Sequence, residues 1–234
     1  MINIKNIKKR FGKLEVLKGV TFSLEEPGVV AVLGPNGSGK TTILKTLLGM
    51  VIPDDGEIYL NDQLVLGLWN YRHQIGYLPQ IARFPDNLSV RELIAMIKDL
   101  RATHADVDGL VEEFRLEPYL DKKLNTLSGG TKQKVNIVLT FMFDCPVLVL
   151  DEPTAGLDPV SLIKLKALIE REKAEGKMII ITTHIMSLVE ELADEIVFLL
   201  EGKVHFKGQP KALYEQTDRQ VLEHAIAKLI EGHD

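Results

Sequence analysis

Apolar residues near the start of the chain recur at every second position, at Ile2 and Ile4 and again at Val20, Phe22 and Leu24. That period marks strands buried on one face. Residues 29–33 (VVAVL) are apolar without a break, as in a strand covered on both faces. A glycine-rich loop follows, and then an apolar helical stretch from Ile43 to Leu48. Pro53-Asp54-Asp55-Gly56 predicts a turn, Glu57 to Leu60 a strand closed by Asn61-Asp62, and Gln74 to Gln80 a short strand running into a loop.

The pattern then changes from period two to helical. Ser89-Val90-Arg91-Glu92 is a capping box, followed by Leu93, Ile94, Ile97 and Leu100 at helical spacing. Val107, Leu110, Val111 and Phe114 predict a second helix, and a third begins after Ser128. Strand texture returns at 147–150, a helix opens at Asp158-Pro159 and stops at Gly176, and another buried strand covers 178–183. Residues 196–200 and 204–206 flank a Glu201-Gly202-Lys203 turn. Two helices close the pattern: Gln209-Pro210 opens one, and Asp218 is expected to cap the other, whose apolar stripe should pack on its own domain. Alternating strands and helices predict an α/β fold with a mostly parallel central sheet. An antiparallel β patch is expected at the N-terminal side, with a helical subdomain inserted over about 86–143 of a single domain. Residues 1–85 and 144–234 would form the core.

Composition excludes several classes. The 234 residues are 45% apolar and 26% charged, as expected of a globular chain with a core. The net charge of −5 argues against nucleic acid as a partner. No stretch reaches the ~18–20 apolar residues that cross a bilayer. The longest candidate, 135–143, is interrupted by Asn136 and Thr140. The single cysteine, Cys145, rules out an internal disulfide and reads as a buried core residue. With no apolar signal-peptide core at the N-terminus, the expected location is the cytoplasm.

The loop carries the chemistry. Gly34, Pro35, Asn36, Gly37, Ser38, Gly39, Lys40, Thr41 and Thr42 fit G-x-x-x-x-G-K-[ST] between a strand and a helix, the phosphate-binding P-loop. Glycines let the backbone wrap an anion, and the N–H groups at the helix start face it. Lys40 is placed for the β- and γ-phosphates of ATP, and the Thr41 hydroxyl for Mg2+. Ligands of such sheets sit at the C-terminal strand ends. Two more ends are chemically loaded, with Asp151-Glu152 after 147–150 and His184 after 178–183. Asp151 is the expected Mg2+ carboxylate, and Glu152 can orient and deprotonate an attacking water.

The segment Leu127-Ser128-Gly129-Gly130-Thr131-Lys132-Gln133-Lys134 resembles the signature sequence of ABC transporter ATP-binding subunits. Together with the P-loop, Asp151-Glu152, a D-loop-like Ala155-Gly156-Leu157-Asp158 and His184, in this order, it makes the chain similar to that family over essentially its full length. The resemblance implies a P-loop NTPase fold and further roles. Phe11 would stack on adenine. Gln80 would be the Q-loop glutamine, sensing Mg2+ or the attacking water. Glu152 would be the general base, with His184 contacting the γ-phosphate. Ser128, Gly129 and Gly130 would bind the γ-phosphate of ATP held by an opposite subunit, with Asp158 at that interface. Thr131 stands where the family most often has glutamine, and Lys134 where arginine is usual.

The expected function is therefore an ATPase that energises transport by ATP-driven, head-to-tail dimerisation, as a homodimer or heterodimer. A separate transmembrane permease would hold it at the inner face of the membrane and contact it near Gln80 and residues 81–88. Export is expected over import, because the run from Ala155 to Pro159 resembles exporters. The alternative is a soluble ABC ATPase outside transport, such as an iron–sulfur cluster assembly factor.

Overall fold

A computed structural model describes residues 1–101 and 103–231. The strands are β1 (Ile2–Phe11), β2 (Leu14–Leu24), β3 (Gly28–Leu33), β4 (Asp55–Leu60), β5 (Gln63–Leu64), β6 (Ile75–Leu78), β7 (Val147–Asp151), β8 (Met178–Thr182), β9 (Glu195–Leu200) and β10 (Lys203–Gly208). The helices are α1 (Lys40–Leu47), α2 (Val90–Arg101), α3 (Asp108–Glu113), α4 (Gly129–Phe141), α5 (Pro159–Ala174), α6 (Met186–Leu192), α7 (Pro210–Thr217) and α8 (Leu222–Glu231). The chain divides into two compact units, one of residues 1–72 and 178–234, the other of 73–177. The second unit holds the helical stretch expected over 86–143 together with β6, β7 and α5.

In the first unit, β2, β1, β4 and β5 form the antiparallel sheet that the N-terminal alternation predicts. Its inward residues, Ile2, Ile4, Val20, Leu24 and Ile58, are almost fully buried. The parallel strands β8, β3 and β9 lie side by side, and β10 returns antiparallel to β9. Every residue of β3 and β8 is buried, which accounts for their unbroken apolar sequence. The β9–β10 hairpin turns through Glu201 and Gly202, at φ of 47° and 78°. Positive φ at both central residues matches the right-handed twist of the flanking strands.

The apolar stripe of α8 packs on its own unit. Leu222, Ala225 and Ile226 join Phe198, Phe206 and Leu213 in one core cluster. The expected cap is corrected, however. Asp218 ends α7 in the left-handed conformation, and the carboxylate of Glu190, on α6, accepts the Leu222 N–H at 3.2 Å. The helix α6 itself did not emerge from the sequence, because its seven residues span barely two turns.

In the second unit β6 and β7 pair in parallel. The capping box forms as read: the Ser89 N–H donates to Glu92 Oε2 at 2.7 Å, and the Glu92 N–H donates to Ser89 Oγ at 3.2 Å. Ser128 caps α4 and Asp158 caps α5 with Pro159 behind it, both as expected. Lys177, almost buried, meets Asp144, Glu172 and Glu175 at 2.6–3.1 Å. Burial alone would lower its pKa; the three carboxylates override that and raise it.

Candidate functional site

The predicted residues divide between the units. Phe11, the loop from Gly34 to Thr42, and His184 belong to the first; Gln80, Ser128, Gly129, Gly130, Asp151, Glu152 and Asp158 belong to the second.

In the first unit β3 runs into the loop at Gly34, whose φ is +148°. A Cβ there would lie 2.1 Å from the Leu199 carbonyl oxygen, so only glycine lets the loop pass β9. The Ser38 N–H donates to Pro35 O at 3.2 Å, and the Gly202 N–H donates to Ser38 O at 3.2 Å, which closes the turn. Helix α1 starts from left-handed Gly39 with no side-chain cap and no acidic residue in its first turn. Its leading N–H groups are thus left for an anion. Ser38 is 2% exposed, and its Oγ is a buried polar atom without a hydrogen-bond partner. Lys40 folds over the loop, its Nζ donating to Gly34 O at 2.7 Å and Pro35 O at 3.0 Å. An orphan hydroxyl, uncapped N–H groups and an ammonium around one loop fit a phosphate chain.

Strand register explains the placing of His184. Val32 pairs with Thr182, so two residues further along each strand direction stand Gly34 and His184. Phe11 ends β1, 50% exposed, with the Lys9 ammonium 5.4 Å from its ring centre.

The second unit repeats this geometry. Leu78 pairs with Leu150, and two residues beyond them stand Gln80 and Glu152. Asp151 is 3% exposed at the end of β7. Glu152 turns the chain through a left-handed φ of 50°. A non-glycine residue there costs about 1–2 kcal/mol, and such strain clusters at functional sites. The Tyr77 hydroxyl is pushed up to about 12 by burial and then by the Asp151 carboxylate. It therefore stays protonated near neutral pH.

Signature and D-loop lie together. Ser128 Oγ accepts the Thr131 N–H at 3.2 Å and lies 2.9 Å from the Thr131 hydroxyl. Thr131 thus holds the serine at the helix start, where a glutamine would project its longer amide. Lys134 Nζ lies 2.8 Å from Asp158 Oδ2. That ammonium, with the N–H and hydroxyl of Ser161, holds the Asp158 carboxyl well below the usual carboxylate range. A Cβ on Gly130 would sit 2.7 Å from Gly156 O. Gly130→Ala should push the D-loop away from α4 and lower ATP turnover by about 5- to 150-fold, the equivalent of roughly 1–3 kcal/mol of overpacking. Binding of a fluorescent ATP analogue to the monomer should be unchanged. Full turnover by this variant would overturn the close approach as a requirement.

One feature escaped the sequence reading. Ile52, Leu68 and Trp69 are exposed at a cavity of about 490 Å3 in the first unit. Isolated apolar residues in loops carry no period, so only the folded chain gathers them.

Comparison with known proteins adds the following. Residues 17–155 match the family described as ABC transporter. The chain is 38% identical over 220 residues to Nod factor export ATP-binding protein I of Burkholderia lata, spanning 92% of this chain and 72% of that protein. The same-named protein of Ralstonia nicotianae is 33% identical, with 91% and 68% covered. A solved ATP binding subunit of an ABC transporter superposes with a TM-score of 0.92 at 29% identity, covering 98% of this chain and 99% of that one. A dimeric ATP-binding cassette in a post-hydrolysis state, bound to ADP and Pi, gives a TM-score of 0.80 at 25% identity, with 89% and 98% covered.

Proposed function

The chain belongs to the ABC transporter family, and on that premise we propose that it is the ATP-hydrolysing subunit of an exporter, working as a head-to-tail dimer on the cytoplasmic face of a transmembrane permease. The observation that carries this reading is the uncapped P-loop helix with Lys40 folded over its loop and Ser38 Oγ unpartnered. Among the described residues nothing partners the Ser38 Oγ, and a triphosphate would offer it an acceptor.

The residues then take these parts. The N–H groups of Gly37, Gly39, Lys40 and Thr41 and the Lys40 ammonium bind the phosphates, with Phe11 against the adenine. Mg2+, carried in with ATP, supplies charge neutralisation on the phosphates. The Thr41 hydroxyl, the Asp151 carboxylate and the Gln80 carbonyl are the hard oxygen donors suited to it. Glu152 accepts the proton of the attacking water, and His184 and Gln80 set its direction. Lys40 and the start of α1 hold the charge that develops on the transferring group.

The signature supplies the dimer. Ser128 and the N–H groups of Gly129 and Gly130 begin α4, a second anion site on a chain whose P-loop already forms one. It serves ATP held by a second copy or a homologous subunit, and hydrolysis then releases the pair. Names of relatives that specify export support that direction. Among the described residues no helix is long and apolar enough to cross a membrane. Exposed Ile81, directly after Gln80, lies on the segment assigned to the permease contact.

Affinity capture of the tagged chain from detergent-solubilised membranes of its own cells tests the reading. A polytopic membrane protein should co-purify in stoichiometric amount, and ATP turnover should change when the two are reconstituted in vesicles. Recovery of soluble partners alone would overturn the transport role.

A further inference from the structure

Helix α4 carries three polar side chains on its buried face. Gln133, Asn136 and Thr140 are spaced three and four residues apart and are 3–4% exposed. Each reaches a backbone carbonyl oxygen of another segment of the same unit. Gln133 Nε2 donates to Pro153 O at 3.0 Å. Asn136 Nδ2 donates to Pro79 O at 3.1 Å and, through its other N–H, to Gln133 Oε1 at 3.4 Å. The Thr140 hydroxyl lies 3.1 Å from Tyr77 O and 2.8 Å from Asn136 O.

The placement of these carbonyls is what matters. Pro79 directly precedes Gln80, and Pro153 directly follows Glu152. Leu78 and Leu150 are the last residues that β6 and β7 pair in register. Where the backbone ladder ends, a side-chain bridge takes over, from Pro79 O through Asn136 and Gln133 to Pro153 O. Its middle is anchored in the helix that begins at Ser128. Each amide donates into this bridge, and buried polar groups are as a rule hydrogen-bonded.

We infer that Asn136 is a positioning residue for Gln80: it fixes the 79–80 peptide to the signature helix, so that Gln80 and the Glu152 loop move with α4 as one piece. The inference rests on the role proposed above for Gln80. An apolar residue at 136 would fill the space but leave the Pro79 carbonyl without its donor. Gln80 would then lose its fixed origin, and small misplacement of a positioned group lowers rate more than binding. Thr140 supports β6 one turn further along and touches neither loop.

The test is a kinetic cycle on the purified full chain with Mg-ATP. Asn136→Ala and Asn136→Leu, which both lack the amide donor, should each lower kcat about tenfold. KM for ATP should stay within about twofold and the melting temperature within a few degrees of wild type. Thr140→Val should leave kcat unchanged. In a Gln80→Ala background, Asn136→Ala should cause no further loss, because both act through one group. A loss from Gln80→Ala with an additional, multiplicative loss from Asn136→Ala would overturn the inference while sparing the role of Gln80. Full activity of Gln80→Ala would overturn both. Normal kcat in Asn136→Leu would overturn the inference alone.

Discussion

Glu152→Gln is expected to lower ATP turnover by about 10²- to 10⁴-fold, the usual contribution of a general base, while ATP remains bound. The amide matches the carboxylate in shape and keeps the hydrogen-bonding reach, but it cannot take up the proton of the attacking water. Glu152 sits in the left-handed region at φ 50° directly after β7. Glutamine meets the same backbone cost there, so the variant should fold as the wild type does. The P-loop and signature are untouched, so the pair should form and then fail to separate. On size-exclusion chromatography with Mg-ATP the variant should elute at twice the 26.2 kDa chain mass, and at the monomer mass without nucleotide. A monomer under both conditions would overturn the head-to-tail arrangement, and undiminished turnover would remove Glu152 from the role of base.

What makes this prediction possible was partly readable in the chain. The P-loop, Asp151-Glu152 and Ser128-Gly129-Gly130 are local motifs, each carried by a few consecutive residues, and the elements around them form where periodicity places them. The registers are different. That Gly34 and His184, and likewise Gln80 and Glu152, each lie two residues past a paired position follows from β3 pairing with β8 and β6 with β7. Parallel pairing over such separations leaves no local mark. The bridge from Asn136 was hidden for another reason. Asn136 and Thr140 read as breaks in an apolar stretch and Gln133 as part of the signature segment, whereas the fold turns all three inward to carbonyls. Asp218 shows the same limit on a small scale. An aspartate before a helix reads as its cap, but here a carboxylate from α6 arrives through space and takes the Leu222 N–H instead.

The second large effect is expected at Lys40. Its ammonium now bonds two loop carbonyls, Gly34 O and Pro35 O. One of those bonds is exposed and the other part-buried, and water can replace them once the side chain is gone, so Lys40→Ala should leave the free protein close to wild-type stability. The loss should appear only with nucleotide. A charge-assisted contact to phosphate contributes roughly 1.5–3 kcal/mol, and each 1.4 kcal/mol is about tenfold in affinity. Binding of ATP, followed by titration calorimetry, should weaken by about 10- to 100-fold. Turnover should fall further, because the same cation faces the charge that develops on the γ-phosphate. Lys40→Arg should not restore it, since a planar guanidinium cannot occupy the place of a compact ammonium over this loop. A thermal shift separates binding from folding. Saturating Mg-ATP should raise the melting temperature of the wild type through linkage and leave that of Lys40→Ala nearly unmoved. Normal hydrolysis by Lys40→Ala would mean that the phosphates lie elsewhere. The orphan Ser38 hydroxyl and the uncapped start of α1 would then need another ligand.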